Sequence, residues 1–391
     1  MIPVAKPSLG SQETVAIQRV IESGWVTQGP EVASFEDEFA FLVGAPHACA
    51  VSSCTAALHI ALLALDIGPG DEVITVSHSY IATSNAICHT GATPVFVDVE
   101  KDTCNMNPAS LENAVSSATK AILCVHQMGM PCDLDRILSV ANNYKLPVVE
   151  DAACAIGSQI HWNGQWENIG KPHGDIACFS FHPRKVMTTG DGGMLTTANA
   201  EIDARLRLLR QHGMNVSDQV RHSAKSVVFE EYLMVGYNYR MTDIQAAVGR
   251  EQIKRLTSIV ERRRAIAMHY SNELRKISGI KPMREPDGVR NNWQSYPIWL
   301  EEGIEQSVFM QELLDLGVAS RRGIICAHRE PAYTSNKNWR LSDPSCALKE
   351  SEYAQDQTVI IPLYPDMSDA EVETVIRSIR LVMKRINNGV S

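Results

Sequence analysis

In the stretch "FSFHPRKVMTTGDGGMLTT", Phe179 to Thr197, Lys185 follows an arginine, stands five residues after Ser180 and runs into a glycine-rich turn. An amine in that setting is either a solvated surface charge or a nucleophile and base held in a pocket. Three other stretches bear on the choice. "LPVVEDA" carries Glu150 and Asp151 to the end of an apolar run. "VSSCTAAL" puts Ser53, Cys54, Thr55 and Ala56 at the start of a helix-like segment, where unpaired N–H groups and the positive end of the dipole favour an anion. "HSYIATSNA" sets Tyr80 just past another apolar run. Singly, each has a plain structural explanation: a satisfied acidic turn, a hydroxyl helix cap, a rim aromatic. Together they are an anion holder, a flat aromatic, a carboxylate and a lysine.

The elements that must position these groups alternate along the first half of the chain. Strand-like "EVITVS" (72–77), "TPVFVDV" (93–99), "TKAILCVH" (119–126), "LPVVEDA" (146–152), "DIACFSF" (175–181) and "GMLTT" (193–197) are interleaved with helix-like "TAALHIALLAL" (55–65), "IATSNAICHTG", "PASLENAVSS" and "DLDRILSVANNY". Strands nearly continuous in Val, Ile and Ala, with helices between them, predict an α/β fold with a mostly parallel sheet covered on both faces. Ligands of such sheets bind beyond the carboxyl ends of the strands, where all four stretches fall. The character changes past about residue 240. A long helical pattern runs from Thr242 to Ile277, with Thr242 or Asp243 as cap. The last helix opens with Ser368 and, three residues on, Glu371, the spacing of a capping box.

Composition narrows the class. The chain has 391 residues, 45% hydrophobic and 21% charged, the profile of an ordinary globular protein. A net charge of −9 argues against a general nucleic-acid surface, so an anionic substrate would need local cations. No run of ~18 apolar residues suggests a membrane span, and "MIPVAKPSLG" lacks the apolar core of a secretory signal. Ten cysteines without a C-x-x-C pair suggest buried thiols in a reducing cytoplasm, with no disulfide framework and no metal site.

The four groups gathered at strand ends are what pyridoxal phosphate needs. A lysine forms a Schiff base with its aldehyde, a carboxylate keeps its ring nitrogen protonated, an aromatic stacks on the ring, and hydroxyls with helix N–H groups hold the phosphate. The ordered segments "SGWVTQGPEVASFEDEFA", "SSCTAALHIALLAL", "VVEDAACAIGS", "GDIACFSFHPRKVMTTGDGGML", "GYNYRMTDIQAAVG" and "IPLYPDMSDAEVETV" resemble the DegT/DnrJ/EryC1/StrS sugar aminotransferases over nearly the whole chain. The resemblance implies a fold-type I pyridoxal phosphate (PLP) transferase, with residues 1–250 as the large cofactor-binding domain and 251–391 as a smaller α+β domain. It implies Lys185 as the Schiff-base lysine, Asp151 on the ring nitrogen and Tyr80 stacked on the ring. Thr55, the backbone of Ala56, and Ser180 would hold the phosphate. Asn238 would reach the phosphate of the neighbouring subunit's cofactor, which makes a homodimer obligatory. Related sugar dehydratases carry His in place of the lysine, so Lys185 favours transamination. Two positions depart from the pattern: Cys54 where Gly is usual, and Cys154 where His or Gln is common; Cys154 is assigned no role.

By the same resemblance, L-glutamate donates the amino group and a keto sugar on a nucleoside diphosphate accepts it. "SRRGIICAHREPAY" offers Arg321, Arg322, His328 and Arg329 to the diphosphate, with Trp25, Thr27 and His126 as further substrate candidates. "VHQMGMPCDLD" and "GYNYRMTD" resemble most the enzymes that aminate GDP-4-keto-6-deoxymannose to GDP-perosamine, in the chemistry of O-antigens and other surface polysaccharides. dTDP- or UDP-linked 4-keto or 3-keto acceptors share most motifs. A lyase or dehydratase of the same fold would yield no 2-oxoglutarate from glutamate. A non-catalytic regulator of this fold would need a DNA-binding extension, and neither a helix-turn-helix segment nor a basic patch is present.

Overall fold

Strands buried on both faces need no polar alternation, and the apolar runs of this chain have none. In the computed structural model, which describes residues 1–216, 221, 226–335, 338–342 and 347–389, they build an eight-stranded sheet. Its strands are β1 (His47–Val51), β2 (Glu72–Val76), β3 (Thr93–Val97), β4 (Thr119–Val125), β5 (Val148–Asp151), β8 (Ile176–Ser180), β9 (Gly193–Thr197) and β14 (Arg340–Leu341). The order is β1-β9-β8-β5-β4-β2-β3-β14. Pairing from β14 through β3, β2, β4 and β5 to β8 is parallel, and β9 runs antiparallel to both β8 and β1. The carboxyl ends of β1, β2, β4, β5 and β8 therefore lie along one edge.

The helix Cys54–Ala64 is apolar all round, with Ala57, Leu58, Ile60, Ala61 and Leu62 essentially inaccessible, because it lies in the core. Phe35 and Phe39, on the helix Pro30–Val43, meet Phe181 and Phe179 with ring centroids 5.3 and 5.0 Å apart. That cluster clamps the end of β8 and the first residue after it.

A second hydrophobic core gathers Tyr270, Tyr296, Phe309, Val359, Ile360 and the apolar face of the C-terminal helix Asp369–Asn387. It is built on a four-stranded sheet ordered β10-β12-β15-β13: β10 (Ile280–Pro282), β12 (Tyr296–Leu300), β13 (Arg321–Arg322) and β15 (Thr358–Ile361). The long helix Asp243–Leu274 joins the two cores. Ala246, Leu256, Ile259 and Val260 face the first, while Ile266, Ala267, Tyr270 and Leu274 face the second. Residue 250 falls inside this helix. Thr242 and Gln245 form its capping box, as Ser368 and Glu371 do for the last helix. Asp243 does more than begin it. Its carboxylate accepts from the N–H groups of Gly29 (2.7 Å), Glu31 (3.1 Å) and Val32 (3.0 Å), capping the neighbouring helix Pro30–Val43.

Two segments depart from the sequence expectation. "PASLENAVSS" forms only the turn Pro108–Ser110 and the four residues Leu111–Ala114. Ser116 and Thr119 exchange side-chain bonds with the backbone there (Ser116 N to Thr119 Oγ1, 2.9 Å), and such local bonds compete with a helix. Between β5 and β8 stands an unanticipated hairpin, β6 (Gln159–Trp162) and β7 (Gln165–Asn168), whose first strand also pairs with β11 (Val289–Arg290). Asn163 and Gly164 turn it with φ of 47° and 85°, the left-handed pair a two-residue hairpin requires.

Candidate active site

Lys185 lies in the connection between β8 and β9. Thr189 N bonds to Phe181 O (3.0 Å), Lys185 N to His182 O (2.8 Å), and Val186 and Met187 are buried, so the loop's backbone is fixed on both sides of the lysine. The Nζ atom stands 3.1 Å from Cys154 Sγ. Burial works against the ammonium, but Cys154, Cys54 and Asp151 outweigh it, and Lys185 sits above its ordinary pKa.

Asp151 is the last residue of β5 and is buried. Thr83 Oγ1 donates to its Oδ2 (2.7 Å), and Ala153 N donates to its Oδ1 (3.2 Å). Since the Thr83 proton is given to Asp151, Ser79 Oγ donates to Thr83 in turn (2.7 Å). Burial raises the Asp151 carboxyl, and these bonds with Lys185 offset the rise only in part. No ion pair to Asp151 is formed among the described residues. A ligand that brings a cationic ring nitrogen would complete it.

The helix Cys54–Ala64 starts on the same edge. Ser53 Oγ accepts from Ala56 N (3.1 Å) and so caps it. The expectation that the Ala56 N–H faces a phosphate meets this competitor, which a ligand must displace. Thr55 and the first-turn N–H groups remain for an anion. Gly193 lets β9 come close, since a Cβ there would meet Ser53 and Cys54 backbone atoms at 2.6–2.8 Å. Ser180, at the end of β8, is nearly buried, and Tyr80 is 70% exposed beside the β2 end. Thr55, Tyr80, Asp151, Ser180 and Lys185 thus share one edge of the sheet. Asn238 is exposed, and its segment pairs with Gln211. The donor set fits pyridoxal phosphate: a lysine, a buried carboxylate without its cation, and hydroxyls beside a helix N-terminus.

The substrate candidates divide. His126 is fully buried and turned away from the edge. Cys132 N donates to its Nδ1 (3.0 Å), which places the ring proton on Nε2, facing Glu150 (2.9 Å). His126 is therefore a core residue. His328 Nδ1 meets Ser77 Oγ (2.7 Å) and its Nε2 meets Glu352 (3.1 Å). It clips the segment after β13 to the strand end that precedes Tyr80. Arg329 bonds both oxygens of Asp356 (2.8 and 2.9 Å), and Arg322 lies 3.4 Å from Glu330. Arg321 makes no ion pair among the described residues. It lines a cavity of about 240 Å³ with Arg184, Gln294, Ser295 and the N-terminal residues Val4 and Ala5. Burial and the like charges of Arg184 and Arg322 pull its guanidinium below the ordinary value. Trp25 donates from Nε1 to Gln28 O (3.2 Å), and Thr27 O accepts from Asp243 N (3.1 Å); both belong to the turn capped by Asp243.

Sequence reasoning missed Thr83, noticed Cys154 without giving it a role, and missed Arg184. The four-residue step from Ser79 to Thr83 was the available signal for the first, and adjacency to Lys185 for the last. Among the described residues no group of three His, Cys, Asp or Glu side chains is placed to hold a metal ion. No helix of the described chain is long and apolar enough to cross a membrane.

A largely parallel sheet flanked by helices, with a lysine loop and a buried aspartate at its carboxyl edge, defines a fold-type I pyridoxal phosphate enzyme. The chain belongs to the DegT/DnrJ/EryC1/StrS aminotransferase family, whose model matches residues 7–380, and the enzymes of this family depend on pyridoxal phosphate. It is similar to the spore coat polysaccharide biosynthesis protein SpsC of Bacillus subtilis (strain 168), 40% identical over 388 residues, 98% of this chain and 97% of that one. Among solved structures it is similar to the aminotransferase TlmJ from Streptoalloteichus hindustanus, at 32% identity and a TM-score of 0.89, covering 99% of this chain and 100% of the other. Spr1654 from Streptococcus pneumoniae, solved in a PMP form, is 28% identical with a TM-score of 0.89, covering 99% and 100%.

Proposed function

We propose that this enzyme transfers the amino group of L-glutamate to a keto sugar carried on a nucleoside diphosphate, in the cytoplasm, for the synthesis of a surface polysaccharide or glycoside. The observation that carries the reading is the convergence at one sheet edge of Lys185 and the buried Asp151, next to a cavity lined by two arginines with no acidic partner among the described residues. Pyridoxal phosphate, when bound, carries the amino group between the two substrates and withdraws electrons from the carbon that loses its proton.

The protein's own groups do the rest. The Lys185 amine would hold the cofactor in the resting enzyme and, once free, would take the α-proton and return it. Asp151, oriented by Thr83, would supply the negative charge for the ring nitrogen. Thr55, Ser180 and the helix N-terminus would hold the phosphate, and Tyr80 would pack on the ring. Arg321 and Arg184 attract the diphosphate of the acceptor, which offsets the chain's net charge of −9. The exposed Asn238 and the exposed apolar side chains of Val227, Phe229, Leu233 and Val235 support a homodimer in which Asn238 reaches the partner's site. Residues 1–250 and 251–391 are taken as the cofactor-binding and small domains. Among acceptors, the sequence segments favour GDP-4-keto-6-deoxymannose, with GDP-perosamine as product.

The test is a purified holoenzyme given L-glutamate and then a panel of GDP-, dTDP- and UDP-linked keto sugars. L-Glutamate alone should change the visible absorption and release about one 2-oxoglutarate per site. Sustained release should begin when the matching keto sugar is added, together with an amino sugar. Lys185→Ala should lose more than about 10⁴-fold in turnover. Absence of 2-oxoglutarate with every acceptor would overturn the reading in favour of a lyase of the same fold.

A further inference from the structure

Cys154 is one of two described cysteines that are not buried, the other being Cys88. Cys88 faces the hydroxyl of Tyr333 at 3.8 Å. Cys154 faces an amine: its Sγ is 3.1 Å from Lys185 Nζ. Both ends of this contact stand on pinned backbone. Asn292 Nδ2 donates to Cys154 O (2.8 Å), and Lys185 N donates to His182 O (2.8 Å). Cys54 also lies near Lys185, but it is buried and its Sγ points to Cys178 O (3.8 Å). A partly exposed thiol against a cationic side chain is the setting in which cysteines react with peroxide.

We propose that Cys154 and Lys185 form a reversible sulfur–nitrogen link when Lys185 is free and a peroxide enters the pocket, so that the enzyme is switched off by oxidation at its own lysine. In the first step Cys154 Sγ attacks hydrogen peroxide. An S–O bond forms, the O–O bond breaks, and the leaving hydroxide departs as water with the thiol proton. Sulfur is oxidised by two electrons and the peroxide is reduced. In the second step Lys185, no longer held as an ammonium by the thiol now oxidised, gives its extra proton to solvent, and the neutral Nζ attacks Sγ. An S–N bond forms, the S–O bond breaks, and a second water leaves with one amine hydrogen. A small thiol reverses the change: its sulfur attacks Sγ, the S–N bond breaks, and the amine takes the thiol's proton. A second small thiol then frees Cys154 from the mixed disulfide.

The link rests on the reading that the amino donor releases Lys185 from the cofactor. While the lysine is bound, Cys154 has no amine to trap. The donor-loaded enzyme is the vulnerable form.

The experiment uses the holoenzyme, with and without L-glutamate, exposed briefly to hydrogen peroxide, digested and mapped by mass spectrometry. The expected result is a joined pair of peptides carrying Cys154 and Lys185. It is lighter than their sum by two hydrogens, is confined to the L-glutamate sample, is released by dithiothreitol and is absent from Cys154→Ser. Cys154 that stays a thiol, that runs on to sulfinic or sulfonic acid without a joined pair, or a pair joining Lys185 to Cys54, would each overturn the proposal. Borohydride reduction of untreated holoenzyme identifies separately the lysine that carries the cofactor. If that lysine is not Lys185, the functional reading fails; the link, then expected with or without donor, is decided by the same peptide map.

Discussion

Two of the buried carboxylates, Glu36 and Asp151, differ in what surrounds them. Glu36 accepts from Arg210, from Arg207 (2.8 Å) and from the N–H of Ala50 (2.8 Å). Burial alone would raise its pKa, but the two arginines more than offset it, and Glu36 sits below its ordinary value. Asp151 has a hydroxyl and one N–H and, among the described residues, no ion pair, while the amine of Lys185 is turned to Cys154. Burial prevails there, and Asp151 sits above its ordinary value. Glu36 has its charge balanced within the chain, which is the mark of a structural ion pair. Asp151 lacks that balance, which is the mark of a site that waits for a cationic ligand.

The contrast is broken most sharply by neutralising each carboxylate in turn. Glu36→Gln leaves Arg210 buried without its acid and should cost about 3–5 kcal/mol of stability, measured by denaturant unfolding. Because the folded pKa of Glu36 is depressed, its contribution is present above the ordinary glutamate range and lost as pH falls through the folded pKa. Asp151→Asn should act in the opposite sense. The raised pKa means that the ionised form is a burden on the cofactor-free fold, a burden relieved as pH falls. Cofactor-free Asp151→Asn should therefore melt at or above wild type at neutral pH, and the difference should vanish in acid. The same change should lower turnover by about 10²–10³-fold, since it removes a charge placed for the reaction. A cofactor-free Asp151→Asn that melts below wild type would erase the distinction drawn between the two carboxylates.

A smaller effect sharpens it. Thr83→Val keeps the volume and removes the donor to Asp151 Oδ2. The loss of a hydrogen bond to a charged group, about 1.5–3 kcal/mol, should appear as weaker cofactor retention on dilution and at mildly acid pH, where Asp151 protonates more readily still. Unchanged retention would mean that Thr83 serves the fold alone.

Much of this arrangement was legible before any coordinate. The strand ends that carry Thr55, Tyr80, Asp151, Ser180 and Lys185 follow from apolar runs closed by polar residues, the capping box at Ser368 from spacing, and the start of the long helix at Thr242 or Asp243 from residue type. What was not legible shares a cause: the direction of a side chain relative to a neighbour distant in sequence. His126 follows β4 just as Asp151 ends β5, yet it turns inward because Glu150 and Cys132 N offer it two partners. Thr83 reads as one hydroxyl among several in "HSYIATSNA", and only the register of β2 against β5, through β4, sets it over Asp151. Cys154 reads only as a departure from the usual His or Gln until the lysine loop closes on it. The missed hairpin has its own cause, since "HWNGQW" is short and has little apolar alternation beyond its Asn-Gly turn.

The same contrast between satisfied and unsatisfied charge recurs at the mouth of the site, among cations. "SRRGIICAHRE" presents three arginines that a sequence cannot rank. Arg329 is committed to Asp356 and Glu352, and Arg322 lies against Glu330. Arg321 faces Arg184 across a cavity with no acid among its described lining residues, an arrangement that costs the free protein repulsion and offers an anion two guanidiniums. Arg329→Ala should then change stability by only about 0.2–1 kcal/mol, the worth of an exposed pair, and leave KM for the nucleotide sugar unmoved. Arg321→Ala should raise that KM by about tenfold or more at low salt, with little change in kcat or in KM for L-glutamate. The defect should shrink as salt screens the wild-type advantage. Equal effects of the two substitutions on KM would mean that the diphosphate is held elsewhere, and that the acid-free cavity at Arg321 is only a gap between the two cores.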